Sequence, residues 1–179
     1  MVSETELREL AERVGHKLRA AGRRIVTAES CTGGWVSKVL TDVPGSSQWF
    51  ECGFVTYSNA AKVRDLGVSS ATLDSFGAVS EQTVREMAEG ALRVAQVNVA
   101  LAVSGIAGPD GGLPGKPVGT VWFCAAARAD TAIDIIAEEQ LFEGDRERVR
   151  SASVAHALRL ILRLDLPVRP DVLPRSQTP

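Results

Sequence analysis

The amino-acid sequence predicts an α/β protein, a three-layer α/β/α sandwich with a mixed central sheet. Three observations lead there. Apolar residues recur at helical spacing in well-separated segments, and short β-branched or wholly apolar runs lie between them. Two strand-like runs near the C-terminus are close enough to pair antiparallel. Helices dispersed among strands favour helical layers on both faces of one sheet.

Each element has a local cause. Ser3 and Glu6 have the spacing of a capping box, and Leu7, Leu10, Ala11, Val14, Leu18 and Ala21 form one helical stripe that ends at Gly22. Arg24 to Thr27 favour a buried strand, and Trp35, Val36, Val39 and Leu40 recur on one face of a helix. Between them, Thr27-Ala28-Glu29-Ser30-Cys31-Thr32-Gly33-Gly34 reads as a strand-to-helix corner with Ser30 or Thr32 as the cap. The turn formers Asp42-Val43-Pro44-Gly45-Ser46-Ser47 end that helix, and Phe50 to Tyr57 form an aromatic, β-branched strand. Asn59 is expected to cap a short helix carrying Lys62, Val63 and Leu66, which puts Tyr57 at a strand end and Lys62 in the following first turn.

A further short helix is predicted near Ala71 to Phe76. A long one follows from Glu81 to Gln96, capped by Ser80, with Val84, Met87, Ala88, Ala91, Leu92 and Ala95 on one face. Asn98 to Val103 is continuously apolar, the pattern of a central strand buried on both faces. Gly105 to Gly119 holds too much Gly and Pro for regular structure, and loops of this length in compact domains tend to be functional or mobile. Thr120 to Ala127 and Ala132 to Phe142 should form a hairpin turning near Arg128-Ala129-Asp130. Asp145 caps a last helix bearing Val149, Ala152, Ala155, Leu158, Ile161 and Leu162. With 179 residues the chain can bury one core, so one domain over 1–165 is expected. The proline-interrupted segment 166–179 reads as a mobile tail.

Composition narrows the function. A formal net charge of −2 gives no basic field, so nucleic acid is not an expected partner. No apolar run approaches the roughly 20 residues that span a bilayer, and the polar Met1-Val2-Ser3-Glu4 start lacks a signal layout. A cytoplasmic protein without a membrane partner is expected. Cys31, Cys52 and Cys124 are odd in number and far apart, which implies free thiols and no zinc site. His16 and His156 sit inside predicted helices and form no metal-binding pair, so a histidine triad or metal hydrolase is not expected. There is no Walker A sequence, no dinucleotide glycine fingerprint and no carboxylate cluster for magnesium.

What remains is Ser30 at a helix start, with Lys62 and Tyr57 as proton carriers and Ser104-Gly105 and the glycine-rich loop as an opposing wall. Lysine serves as a base only if desolvation or neighbouring positive charge, here from Arg146 or Arg150, lowers its pKa from about 10.4. Cys31 competes with Ser30, because a thiol at a helix N-terminus can be activated. Gly33 and Gly34 would let a ligand approach backbone amides that suit a phosphate or an oxyanion. Trp35, Trp49 and Trp122 fall on apolar patterns and read as core.

Taken together, the corner Thr27 to Gly34, Pro44-Gly45-Ser46-Ser47, Tyr57-Ser58-Asn59 with Lys62, Gly77-Ala78-Val79-Ser80, Gly105-Ile106-Ala107-Gly108-Pro109, and Gly144-Asp145-Arg146 with Arg150 resemble the CinA C-terminal domain family from about Thr5 to Leu164. The resemblance implies a cytoplasmic homodimer that binds a small nucleotide. It would hydrolyse the carboxamide of nicotinamide mononucleotide to nicotinic acid mononucleotide and ammonia in pyridine-nucleotide salvage, without cofactor or metal. Ser30 matches the family's nucleophile, Lys62 its general base and Tyr57 a hydroxyl beside them. Cys31, Thr32, Gly33 and Gly34 match the turn that serves the oxyanion or phosphate. Arg146 and the 105–119 loop, with Gly105 and Gly108, are candidates for phosphate and ribose. Ser104 stands where many relatives carry threonine, one hydroxyl for another. Many relatives also have a large N-terminal domain, whereas this chain begins almost directly with its first helix, so functions needing that domain are not expected. The rival readings are a non-catalytic nucleotide-binding module and a regulatory role in competence or DNA damage.

Overall fold

In the computed structural model, residues 1–128 and 133–166 are described. The elements are α1 (Glu4–Ala20), β1 (Ile25–Glu29), α2 (Trp35–Thr41), a 3-10 turn (Ser46–Gln48), β2 (Phe50–Val55), α3 (Asn59–Leu66), α4 (Ser70–Phe76), α5 (Glu81–Ala95), β3 (Val99–Gly105), β4 (Thr120–Arg128), β5 (Ile133–Leu141) and α6 (Arg146–Arg163). The tail from 167 and the predicted Ala129-Asp130 turn lie outside the described residues.

The five strands form one sheet in the order β2-β1-β3-β4-β5. β1 pairs in parallel with both β2 and β3, while β3–β4 and β4–β5 are antiparallel, which makes the sheet mixed. The apolar run of β3 is accordingly central, and its first six residues are all buried. Side chains alternate between two cores. Ile25, Leu101, Val103, Phe123 and Ala125 face α1, α2 and α6, and Val26, Ala28, Ala100, Ala102 and Cys124 face α5 with Leu66 and Leu73. Burying each Leu, Val or Phe is worth about 1.5–3 kcal/mol, so two apolar faces hold the three layers together.

Helix starts follow short-range hydrogen bonding. Ser3, Ser80 and Asp145 accept from amides three residues ahead and cap α1, α5 and α6. The cap of α3 is Ser58, which accepts from the Ala61 amide, in place of the expected Asn59. Asn59 is instead the first helical residue, because Ser58 already has the extended backbone a cap requires.

The chain passes from β1 to β2 on one side and then returns to β3 on the other. A crevice opens outside the C-terminal ends of parallel strands where the winding reverses. Here that end gathers Glu29-Ser30, Thr56-Tyr57 and Ser104-Gly105. Among the described residues no helix is long and apolar enough to cross a membrane.

Candidate active site

Ser30 follows the last residue of β1, and its amide donates to Val103 O at 2.9 Å, locking it to the end of the central strand. Lys62 projects from the first turn of α3, which is set by the Ser58 cap just beyond β2. Its Nζ lies 2.9 Å from Ser30 Oγ and 2.8 Å from Thr56 O, with Tyr57 O at 3.4 Å. Lys62 is 1% exposed and Ser30 8%. Burial disfavours the ammonium and brings Lys62 down to about 8 from its ordinary 10.5. Desolvation is therefore the cause, not the neighbouring arginines considered from sequence. A buried amine near neutrality within hydrogen-bond reach of a hydroxyl can take that hydroxyl's proton.

The corner after Ser30 is built differently from the expectation. Neither Ser30 nor Thr32 caps α2. The cap position is Gly34, whose φ of 91° suits glycine, and no side chain at that position makes a capping bond. Glu29, fully buried, reaches forward instead. Its Oε2 accepts from the Gly34 and Val36 amides at 3.0 Å each, and its Oε1 accepts from the Ser37 amide at 2.8 Å and Ser37 Oγ at 2.6 Å. Thr27 Oγ1 lies 2.7 Å from the same Ser37 hydroxyl. Gly53 on β2 makes this possible, since a Cβ there would stand 2.3 Å from Ser37 Oγ.

Of the turn amides expected to serve substrate, Glu29 takes up that of Gly34. Gly33 N donates to Ser30 O, which leaves the Cys31 and Thr32 amides without a main-chain acceptor among the described residues. From the other side, Arg150 donates through Nε to Cys31 O at 3.1 Å and through Nη2 to Thr32 O at 2.8 Å, its guanidinium 5.4 Å from the Trp35 ring centre. The turn carrying Ser30 is held between a carboxylate and a guanidinium.

A cavity of about 270 Å³ brings together Ser30, Cys31, Tyr57, Lys62, Ser104, Gly105, Gly108 and Arg146, with Ala78, Val79 and Asp110 on its walls. Three predicted binding residues lie elsewhere. Gly33 and Gly34 line a separate cavity of about 480 Å³ with Arg8, Lys38 and Arg150. Thr32 is fully buried, and its hydroxyl has no partner among the described residues. Cys31 lines the Ser30 cavity, but burial pushes its thiol up to about 12, opposite to the activation considered for a helix start. Tyr57 is 58% exposed, and its hydroxyl accepts from Arg146 Nη2 at 2.9 Å. Only its main-chain carbonyl contacts Lys62. Arg146 Nη1 donates to Gly108 O at 2.8 Å and so ties the glycine-rich loop to α6. Ser104 Oγ donates to Ala78 O at 2.7 Å, which fixes the opposite wall. Among the described residues no group of three His, Cys, Asp or Glu side chains could hold a metal ion.

Glu29 and Asp110 were not singled out from sequence. Glu29 carried one usable signal, an acidic residue ending a buried strand shortly before a glycine-started helix, but its partners lie five, seven and eight residues ahead, outside ordinary capping spacing.

Residues 7–164 match the CinA family, described as the CinA C-terminal domain. The nicotinamide-nucleotide amidohydrolase PncC of Escherichia coli (strain K12) is 53% identical over 161 residues, spanning 89% of this chain and 95% of that protein. The protein of the same name from Pseudomonas putida is 50% identical over 155 residues, spanning 87% and 94%. Among solved structures, the competence/damage inducible protein CihA from Agrobacterium tumefaciens superposes with a TM-score of 0.83 at 43% identity, covering 88% of this chain and 94% of that one.

Proposed function

The chain belongs to the CinA C-terminal domain family, and from that premise we propose that it is an amidohydrolase converting nicotinamide mononucleotide to nicotinic acid mononucleotide and ammonia. The observation that carries this reading is the 2.9 Å contact between Lys62 Nζ and Ser30 Oγ in a buried cavity that opens to solvent. Its relatives named nicotinamide-nucleotide amidohydrolase supply the substrate.

In this mechanism neutral Lys62 accepts the Ser30 proton as Oγ attacks the carboxamide carbon. The amide of Cys31, a residue of the cavity wall, is the donor open to the tetrahedral oxyanion, since those of Gly33 and Gly34 are already bonded. Collapse breaks the C–N bond, and the Lys62 ammonium returns its proton to the departing nitrogen, releasing ammonia and leaving a nicotinate ester on Ser30. Water then adds to the ester as Lys62 takes its proton. The second collapse frees the carboxylate and restores the Ser30 hydroxyl. Arg146 binds the phosphate, and the Tyr57 hydroxyl orients that guanidinium. The reading includes a cytoplasmic homodimer working in pyridine-nucleotide salvage.

Ammonia release from nicotinamide mononucleotide tests it, with free nicotinamide as control. Wild-type protein should turn over the mononucleotide, and Ser30→Ala should lose about 10³-fold or more in kcat while remaining folded. A folded wild type that binds the nucleotide without releasing ammonia would overturn the reading in favour of a binding module.

A further inference from the structure

The Ser30 cavity is graded in both burial and charge. Ser30, Lys62, Ser104 and Ala107 are buried at its inner end, whereas Tyr57, Asp110 and Arg146 are exposed at its outer end. A mononucleotide whose carboxamide reaches Ser30 must therefore place its ribose and phosphate at the outer end. Two charged side chains of opposite sign meet it there. The Arg146 guanidinium complements the phosphate. Asp110 is the one carboxylate among the residues lining the cavity, and it would repel a phosphate.

Asp110 also differs from its neighbours in being uncommitted. Arg146 is anchored to Gly108 O and Tyr57 Oη, and Ser104 to Ala78 O. The Asp110 carboxylate makes no side-chain hydrogen bond or ion pair among the described residues. A carboxylate only accepts, through two oxygens, and the vicinal hydroxyls of a ribose offer two donors at matching spacing. Hydrogen bonds to a charged acceptor are the stronger kind, and at a partly open site they discriminate more by what is lost when the donor is missing.

We infer that Asp110 is a specificity-determining residue of this site, accepting hydrogen bonds from the 2′- and 3′-hydroxyls of the nucleotide ribose. The inference rests on the mononucleotide reading above. It separates the outer end into a phosphate contact at Arg146 and a sugar contact at Asp110, with the reacting group left to Ser30 and Lys62.

The test is a cycle of two proteins and two substrates, wild type and Asp110→Ala against nicotinamide mononucleotide and its 2′,3′-dideoxy analogue. Removing the hydroxyls from the substrate should lower wild-type kcat/KM roughly tenfold or more, and Asp110→Ala should lower it by a similar factor on the ribonucleotide. On the dideoxy substrate the variant and wild type should be equal. The thermal midpoint should not move, because the residue is exposed. Equal losses on both substrates would overturn the inference, since the carboxylate would then be acting on the pyridinium ring or on the loop. No loss on either would overturn it too. The same cycle read as Kd by calorimetry in a Ser30→Ala background isolates the inference from the reaction. Hydroxyl-dependent binding by a protein that never releases ammonia would uphold Asp110 and sink the amidase reading. Absence of nucleotide binding altogether would sink both.

Discussion

At the inner end of the cavity, Ser30 and Lys62 stand on the ends of paired strands and a capped helix, with each neighbour held. Glu29 fastens the start of α2 through four hydrogen bonds, Arg150 holds two carbonyls of the same turn, and Ser30 N is bonded to β3. At the outer end, Tyr57, Asp110 and Arg146 come from two loops and the first turn of α6 and are exposed, with Arg146 bonded to Tyr57 Oη and Gly108 O and the Asp110 carboxylate uncommitted among the described residues. On the proposed reading, the difference teaches how one site divides its labour. Chemistry needs fixed geometry and desolvation, because only a buried lysine loses enough hydration to act as a base near neutral pH. Recognition of a charged, hydrated nucleotide tail needs groups that remain accessible. Substitutions at the inner end should consequently appear in kcat and those at the outer end in KM.

The largest expected effect is at Lys62. Lys62→Ala should reduce kcat by about 10³-fold or more with KM little changed, measured by steady-state ammonia release. In the proposed mechanism the active form is the neutral amine, whose fraction rises with pH through about 8. Activity should therefore fall about tenfold per pH unit below that value and level off above it. A flat profile from pH 6 to 9 would remove Lys62 from the base role.

Glu29→Gln comes next. An amide cannot accept all four hydrogen bonds, so the start of α2 should loosen and Ser30 lose its placement, with kcat down roughly 100-fold while KM is held. Circular dichroism should show the fold retained at 25 °C with a lower midpoint. A loss confined to stability, with normal kcat per folded molecule, would make Glu29 a fold residue alone.

Arg146→Ala should raise KM about tenfold and leave kcat within a few-fold, which a kcat-dominated loss would contradict. The smallest effect is expected at Cys31. Its buried thiol, pushed up to about 12, is a poor nucleophile, so Cys31→Ala should keep kcat within about twofold of wild type.

Much of the architecture was legible because its causes are local. The Ser3, Ser80 and Asp145 caps, the stripe of α5 from Val84 to Ala95 and the unbroken apolar run of β3 each express hydrogen bonding or burial within a few residues along the chain. The pairing of β4 with β5 followed from their short separation. Ser58 displaced Asn59 as a cap only by one position, a shift that neighbouring residues with similar capping chemistry cannot resolve.

Part of the candidate cavity's lining was legible in the sequence, and its arrangement was not. The residue types at Ser30, Lys62, Tyr57, Ser104 and Arg146, and the order of elements that carries them, were determined by the sequence itself. That Lys62 is desolvated, that Glu29 takes up the helix amides, that Gly33 and Gly34 face a different cavity from Ser30, and that the Tyr57 hydroxyl meets Arg146 were decided only when the chain folded. Hydration and long-range contacts depend on what the rest of the molecule places around a group. Tyr57 and Arg146 are 89 positions apart, and Lys62 and Ser30 are 32 apart. No local pattern records which of them will share a dry surface.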